Sequence, residues 1–207
     1  MSLRPSGCSW IVACCCFVAL FLVLAPRLEA ADGNDEYDFN LSKGILLYNL
    51  ERYGEADRYL RQAYNVRPGD QKAGYYLGLT SLRLQRYSTA EERFREILRR
   101  HPDDARARMG LGMALYHQDR YPEASAELTM AERTLKDEPL LYYYAGLSAA
   151  SQQAYDQASD MFQRAGKLDP ELANDPHYQR GVALQSQKSK IESIECAPSF
   201  KTKIDLN

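Results

Sequence analysis

The chain has 207 residues, with 26 Lys and Arg against 28 Asp and Glu and a hydrophobic content of 45%. That length bounds it at one or two ordinary domains, and with charge near balance and no basic stripe nucleic acid is not an implied partner. With 12 Gly and 9 Pro, the composition is not that of a disordered or low-complexity chain.

The first element is a leader. Arg4 precedes an apolar run from Trp10 to Ala25, and Leu28-Glu29-Ala30 follows. This order predicts a secretory signal peptide over residues 1–30, cut near Ala30 or Ala31. The run is shorter than the roughly 20 residues of a membrane span, and retention as an uncleaved membrane anchor is the alternative. Ile11-Val12-Ala13-Cys14 is not read as a lipobox, because most of the apolar run follows Cys14. Cys8, Cys14, Cys15 and Cys16 all fall in the leader, so the exported chain keeps only Cys196 and closes no internal disulfide. Residues 31–36 read as an acidic linker.

A repeat then governs the chain. RYGEADRYLRQAYNVRPGD from Arg52 returns as RYSTAEERFREILRRHPDD from Arg86, as RYPEASAELTMAERTLKDE from Arg120 and as AYDQASDMFQRAGKLDP from Ala154, each 34 residues after the last. A fixed period of this length means stacked copies of one supersecondary unit, here 37–70, 71–104, 105–138 and 139–172. Each copy holds two apolar-periodic stretches, hence a pair of helices. The eighth position reads Gly44, Gly78, Gly112 and Gly146, and the twentieth reads Ala56, Ala90, Ala124 and Ala158. These small residues let the paired helices approach, and a bulky residue at the twenty-fourth (Leu60, Phe94, Leu128, Phe162) fills the space beside them. The second helices are expected to begin at Gly54, Ser88, Pro122 and Asp156, with Ser88 and Glu91 at capping-box spacing. Pro68, Pro102 and Pro170 end them, and Lys136 replaces the third proline. Acidic pairs Asp103-Asp104 and Asp137-Glu138 suit the starts of the following helices.

After the fourth copy, Asp175-Pro176 opens one more helix, read as a polar capping helix over 173–190. Residues 191–207 form an irregular tail, with Cys196 an unpaired thiol in it.

These four in-phase copies resemble the tetratricopeptide repeat, which carries small residues at the eighth, twentieth and twenty-seventh positions, a bulky one at the twenty-fourth and Pro at the thirty-second. The resemblance runs from Tyr37 to Leu172. It implies an all-α fold, a right-handed α-solenoid of four helix-turn-helix repeats plus the capping helix. It also implies a concave groove lined by the first helix of each pair, with Tyr48, Tyr75, Arg83, Arg106, Met109, Met113, Tyr116 and Tyr143 as partner-binding residues. The basic clamp that some members use on acidic tails is absent, because Leu41 and Ile45 stand where it needs Lys and Asn.

No phosphate-cradling loop, nucleophile elbow or metalloprotease helix is present. His101, His117 and His177 are scattered and read as surface histidines, and the sequon Asn40-Leu41-Ser42 falls inside the first helix. The expectation is a non-enzyme without metal or cofactor. Its partner is a peptide or helical segment of another protein, held by aromatic and flexible thioether side chains.

Overall fold

A computed structural model describes residues 33–179 and 181–183. The leader, residues 184–190 of the expected capping helix and the tail 191–207 with Cys196 lie outside the described residues. The described residues form an all-α fold, an α-solenoid of helix-turn-helix repeats. Its helices are α1 (33–49), α2 (Tyr53–Val66), α3 (Gln71–Arg83), α4 (Tyr87–Arg100), α5 (Ala105–Tyr116), α6 (Tyr121–Glu132), α7 (Pro139–Ser151) and α8 (Tyr155–Leu168). A 3-10 turn at Leu172–Asn174 follows, then helical residues 176–179 and 181–183, named α9. Two compact units divide the chain, Met1–Ala73 and Gly74–Asn207.

Two boundaries differ from the sequence reading. Residues 33–36, expected as linker, already belong to α1, where Asp35 and Glu36 complement the positive end of the helix. The terminal helix begins at 176 rather than 173, because Asp175 caps it. The Asp175 carboxylate accepts the backbone N–H of His177 at 2.8 Å and of Tyr178 at 3.3 Å.

The turn inside each repeat is the same device four times. Glu51, Gln85, Asp119 and Gln153 have φ of 59°, 58°, 59° and 63°. The next residue's N–H reaches back five residues, from Arg52 to the Leu47 carbonyl at 2.9 Å, Arg86 to Ser81 at 2.8 Å, Arg120 to Leu115 at 3.0 Å and Ala154 to Ala149 at 3.0 Å. The left-handed residue's own N–H bonds the carbonyl three back, as from Gln85 to Leu82 at 3.0 Å. This is the Schellman reversal, closed without glycine at a cost of roughly 1–2 kcal/mol per residue. It corrects the expected helix starts. The second helices begin at the tyrosines, one residue before Gly54, Ser88, Pro122 and Asp156, and their N-cap side chains make no capping hydrogen bond. Ser88 is already inside α4, so the capping box does not form.

The close contacts fall where the repeat phase put them. A Cβ on Gly44 would lie 2.7 Å from Leu60 Cγ, on Gly78 2.6 Å from Phe94 Cζ, on Gly112 2.6 Å from Leu128 Cγ and on Gly146 2.8 Å from the Phe162 ring. Phe94 and Phe162 need a second glycine. A Cβ on Gly110 would be 2.4 Å from Phe94 Cζ, and one on Gly181 2.1 Å from Phe162 Cε2. Residues before proline (Arg67, His101, Asp169) leave the helical region, with ψ of 83°, 76° and 100°, and end α2, α4 and α8 after 14 residues each, whereas α6, lacking that proline, has 12.

Polar ties cross between repeats of the second unit. Glu91 of α4 accepts Gln118 Nε2 at 2.7 Å and Arg120 Nη1 at 2.7 Å, and Arg95 closes the set. Burial alone would raise this carboxyl. The hydrogen bonds from Gln118 and Arg120 and the charges of Arg95 and Arg120 outweigh burial and hold it below its ordinary range. One repeat on, Gln152 donates to Ser125 Oγ at 2.9 Å in the same place. Asp104 caps α5 by accepting the Ala107 N–H at 3.0 Å, as its acidic pair implied.

In the first unit Tyr37 is buried beneath the Arg67 guanidinium, 3.8 Å from its ring centroid. Burial and a hydrogen bond to Asp70 push its phenol up to about 12. Asn40 of the sequon is buried, which leaves no room for a glycan.

Candidate protein-binding surface

Helices α5 and α7, the first helices of consecutive repeats, pack side by side. Their side chains meet in a row of rings. Tyr116 lies 5.7 Å from Tyr121, 5.3 Å from His117 and 5.7 Å from Tyr144. Tyr143 lies 5.6 Å from Tyr144 and 6.0 Å from Phe162, and Phe162 lies 5.4 Å from Tyr178. At the other end Tyr87 stacks on His117, centroids 4.7 Å apart and planes within 9°. His117 Nε2 is 3.3 Å from the Tyr144 hydroxyl. The edge-on geometries are those that aromatic quadrupoles favour.

The electrostatics follow from this crowding. Desolvation holds His117 below the usual histidine range. Burial raises the Tyr144 phenol, and the nearby Arg83 charge works against it. Burial, with Asp119 and Asp175 close by, raises Tyr116. Tyr143 is driven well above the usual tyrosine range, first by burial and then by the hydrogen bond it donates to Asp175 at 2.9 Å. The arrangement offers ring faces, phenol groups and one guanidinium. Among the described residues no group of three His, Cys, Asp or Glu side chains is placed to hold a metal.

The expected site residues distribute unevenly. Tyr116, Tyr143 and Met113 gather on α5 and α7, half-buried. Arg83 is exposed and acts on Tyr144. Tyr75 is half-buried and edges Phe94 at 6.0 Å and Tyr76 at 5.8 Å. Arg106 is exposed on the first turn of α5. Tyr48 belongs to the first unit, 5.6 Å from Tyr53 at the turn between α1 and α2. Met109 is a correction. It is 6% exposed and packs with Leu128, Leu141 and Tyr142 in the core, because the neighbouring helices α6 and α7 close over it, and it offers no surface to a partner. Tyr87 and Tyr144 are not among the expected binding residues, and His117, read from the sequence as a surface histidine at the end of a first helix, joins them here. The signal for Tyr144 was the run Tyr142-Tyr143-Tyr144, in which successive side chains must point to different neighbours. For Tyr87 there was the recurrent tyrosine that opens each second helix.

Residues 41–92 and 80–131 match the family model described as Tetratricopeptide repeat. No curated protein matches the chain in sequence. Among solved structures, MamA of Desulfovibrio magneticus RS-1 is similar at 18% identity and a TM-score of 0.59, covering 79% of this chain and 98% of that one. A thermophilic TPR protein of Thermus thermophilus is similar at 23% identity and a TM-score of 0.61, covering 81% and 96%. PilF of Pseudomonas aeruginosa is similar at 22% identity and a TM-score of 0.63, covering 76% and 71%. At these identities the likeness is one of fold.

Proposed function

We propose that this chain of tetratricopeptide repeats is an exported scaffold that holds a polypeptide segment of another protein. The observation that carries the reading is the aromatic row on α5 and α7, with Tyr87, His117 and Tyr144 partly open to solvent and Arg83 beside them. Such surfaces draw most of their binding energy from a few aromatic and Arg side chains. Tyrosine gives large contact area with few rotors to freeze and keeps a hydroxyl for a backbone carbonyl of the partner. Arg83 would orient an acidic group on the bound segment. The repeat frame supplies rigidity, and nothing in this role calls for catalysis or a cofactor.

Export rests on the leader over residues 1–30. Intact-mass measurement of the protein recovered from its compartment decides between a cleaved signal, which removes about 30 residues, and a retained anchor. The binding reading is tested by capture from that compartment. A Tyr87→Ser/Tyr144→Ser variant with parental helical circular dichroism should lose the captured protein. Capture equal to the parent's contradicts the reading.

A further inference from the structure

The aromatic row carries opposite charges at its two ends. It steps from Tyr178 through Phe162, Tyr143, Tyr144 and His117 to Tyr87, with successive ring centroids 4.7 to 6.0 Å apart. Two carboxylates stand at the α9 end. Asp175 accepts the Tyr143 hydroxyl at 2.9 Å, and Asp119 accepts the Tyr121 hydroxyl at 2.5 Å, with the Tyr121 ring 5.7 Å from that of Tyr116. Arg120, next to Asp119, is held by Glu91 and Glu123, and His177 is the basic side chain whose charge acts on Asp175. Towards the Tyr87 end, the charge that acts on the row is that of exposed Arg83. The chain leaves the row from the acidic end. Val182 packs against the cluster of Phe162, beside Tyr143 and Tyr178, and the sequence runs on to Phe200-Lys201-Thr202-Lys203-Ile204-Asp205-Leu206. The stretch from Ala183 to Phe200 can span roughly 50 Å, further than the whole row.

We propose, resting on the reading of the row as a binding surface, that residues 200–206 of the same chain occupy it and that a partner must displace them. Connectivity and charge agree on this occupant. A segment that follows the row outward from α9 meets Asp175 and Asp119 first and Arg83 last. Residues 200–206 offer Lys201 and Lys203 first and Asp205 last. Laid the other way, they set lysines against Arg83 and Asp205 against the carboxylates. Residues 184–199 hold Lys188 and Lys190 against Glu192 and Glu195, so the connecting stretch adds no net charge to either end. Phe200, Ile204 and Leu206 supply apolar contact for the ring faces. Tethering gives the segment an effective concentration of about a millimolar, so a contact that is weak between separate molecules fills the row within one.

The test keeps the full chain and uses a labelled synthetic peptide of residues 197–207 as the probe, titrated by fluorescence anisotropy. The peptide should bind the Phe200→Ser/Ile204→Ser variant, whose row is vacated, about tenfold or more tightly than the parent, whose row is filled. Adding Tyr87→Ser/Tyr144→Ser to that variant should abolish the binding while helical circular dichroism stays parental. A peptide carrying Lys201→Glu/Lys203→Glu should bind the vacated row more weakly, chiefly at low salt. Equal binding to the parent and to Phe200→Ser/Ile204→Ser overturns the proposal, as does no binding to the variant, or binding that ignores Tyr87→Ser/Tyr144→Ser. Each of these leaves the row free to bind peptides of other sequence. A row that binds neither this peptide nor any from a random library overturns the underlying reading as well. A dimer in sedimentation equilibrium that Phe200→Ser/Ile204→Ser abolishes overturns the proposal in favour of exchange of the segment between two copies.

Discussion

Gly110 of the third repeat and Tyr144 of the fourth stand 34 residues apart at the same repeat position, one under the Phe94 ring and the other in the aromatic row. What separates them is the residue each meets from the preceding second helix. Phe94 reaches so far that a Cβ on Gly110 would lie 2.4 Å from its ring, so that position has no side chain to present. Leu128 is shorter. Tyr144 packs against the cluster that holds Leu128 and still carries its hydroxyl to His117. At these two boundaries the size of the facing core residue goes with whether the position is filler or surface, because interiors are packed near crystal density. At the next boundary Phe162 is accommodated by Gly181 instead, and Tyr178, 34 residues on from Tyr144, keeps its ring 5.4 Å away.

The comparison breaks first at Phe94. Phe94→Ala should cost about 3–5 kcal/mol by leaving a cavity between Gly78 and Gly110, read as a lower urea midpoint at unchanged slope. A parental midpoint would mean that Phe94 is not what the glycines accommodate. Gly110→Tyr alone should cost about 1–3 kcal/mol by overpacking. Combined with Phe94→Leu it recreates the Leu128–Tyr144 arrangement, and the double-mutant cycle should show favourable coupling of about 1 kcal/mol or more. Strictly additive costs would contradict the volume account.

A smaller effect concerns the tie between repeats. Glu91 has a depressed folded pKa, so its contribution is present above the unfolded value of 4.5 and is lost as pH falls through the folded one. Glu91→Gln should lower stability by roughly 1.5 kcal/mol at neutral pH, and the gap from the parent should close below about pH 4.5. A gap that stays constant through the acid range would show that the charge is not what matters. The smallest expected effect is a gain. Gln85→Gly relieves a left-handed residue while freeing the unfolded chain, and should stabilise by about 0.5 kcal/mol. A loss would mean that the Gln85 side chain does more than occupy the turn.

Much of this was legible in the sequence because repetition averages out local ambiguity. Four copies in phase placed Gly44, Gly78, Gly112 and Gly146 against Leu60, Phe94, Leu128 and Phe162 correctly. The turns were harder. Left-handed Glu51, Gln85, Asp119 and Gln153 carry no glycine to announce them, so the helix starts were read from capping residues that prove to lie inside the helices. Met109 was misplaced for another reason. A helix in a stack is covered on more than one side, and spacing along a single helix does not say how far the next repeat closes over it. Tyr144 entered the patch only because of the partner it faces across the repeat boundary, a pairwise fact that a position-by-position pattern does not contain.

The claim that the α5–α7 aromatic row is a polypeptide-binding surface is tested most directly with a defined ligand. Peptides selected from a random displayed library on the parent protein would be titrated by fluorescence anisotropy against the parent and against the Tyr87→Ser/Tyr144→Ser variant. The account predicts that the selected peptides bind the parent and lose about tenfold or more in affinity to the variant, with helical circular dichroism unchanged. Equal affinity for both proteins would contradict it.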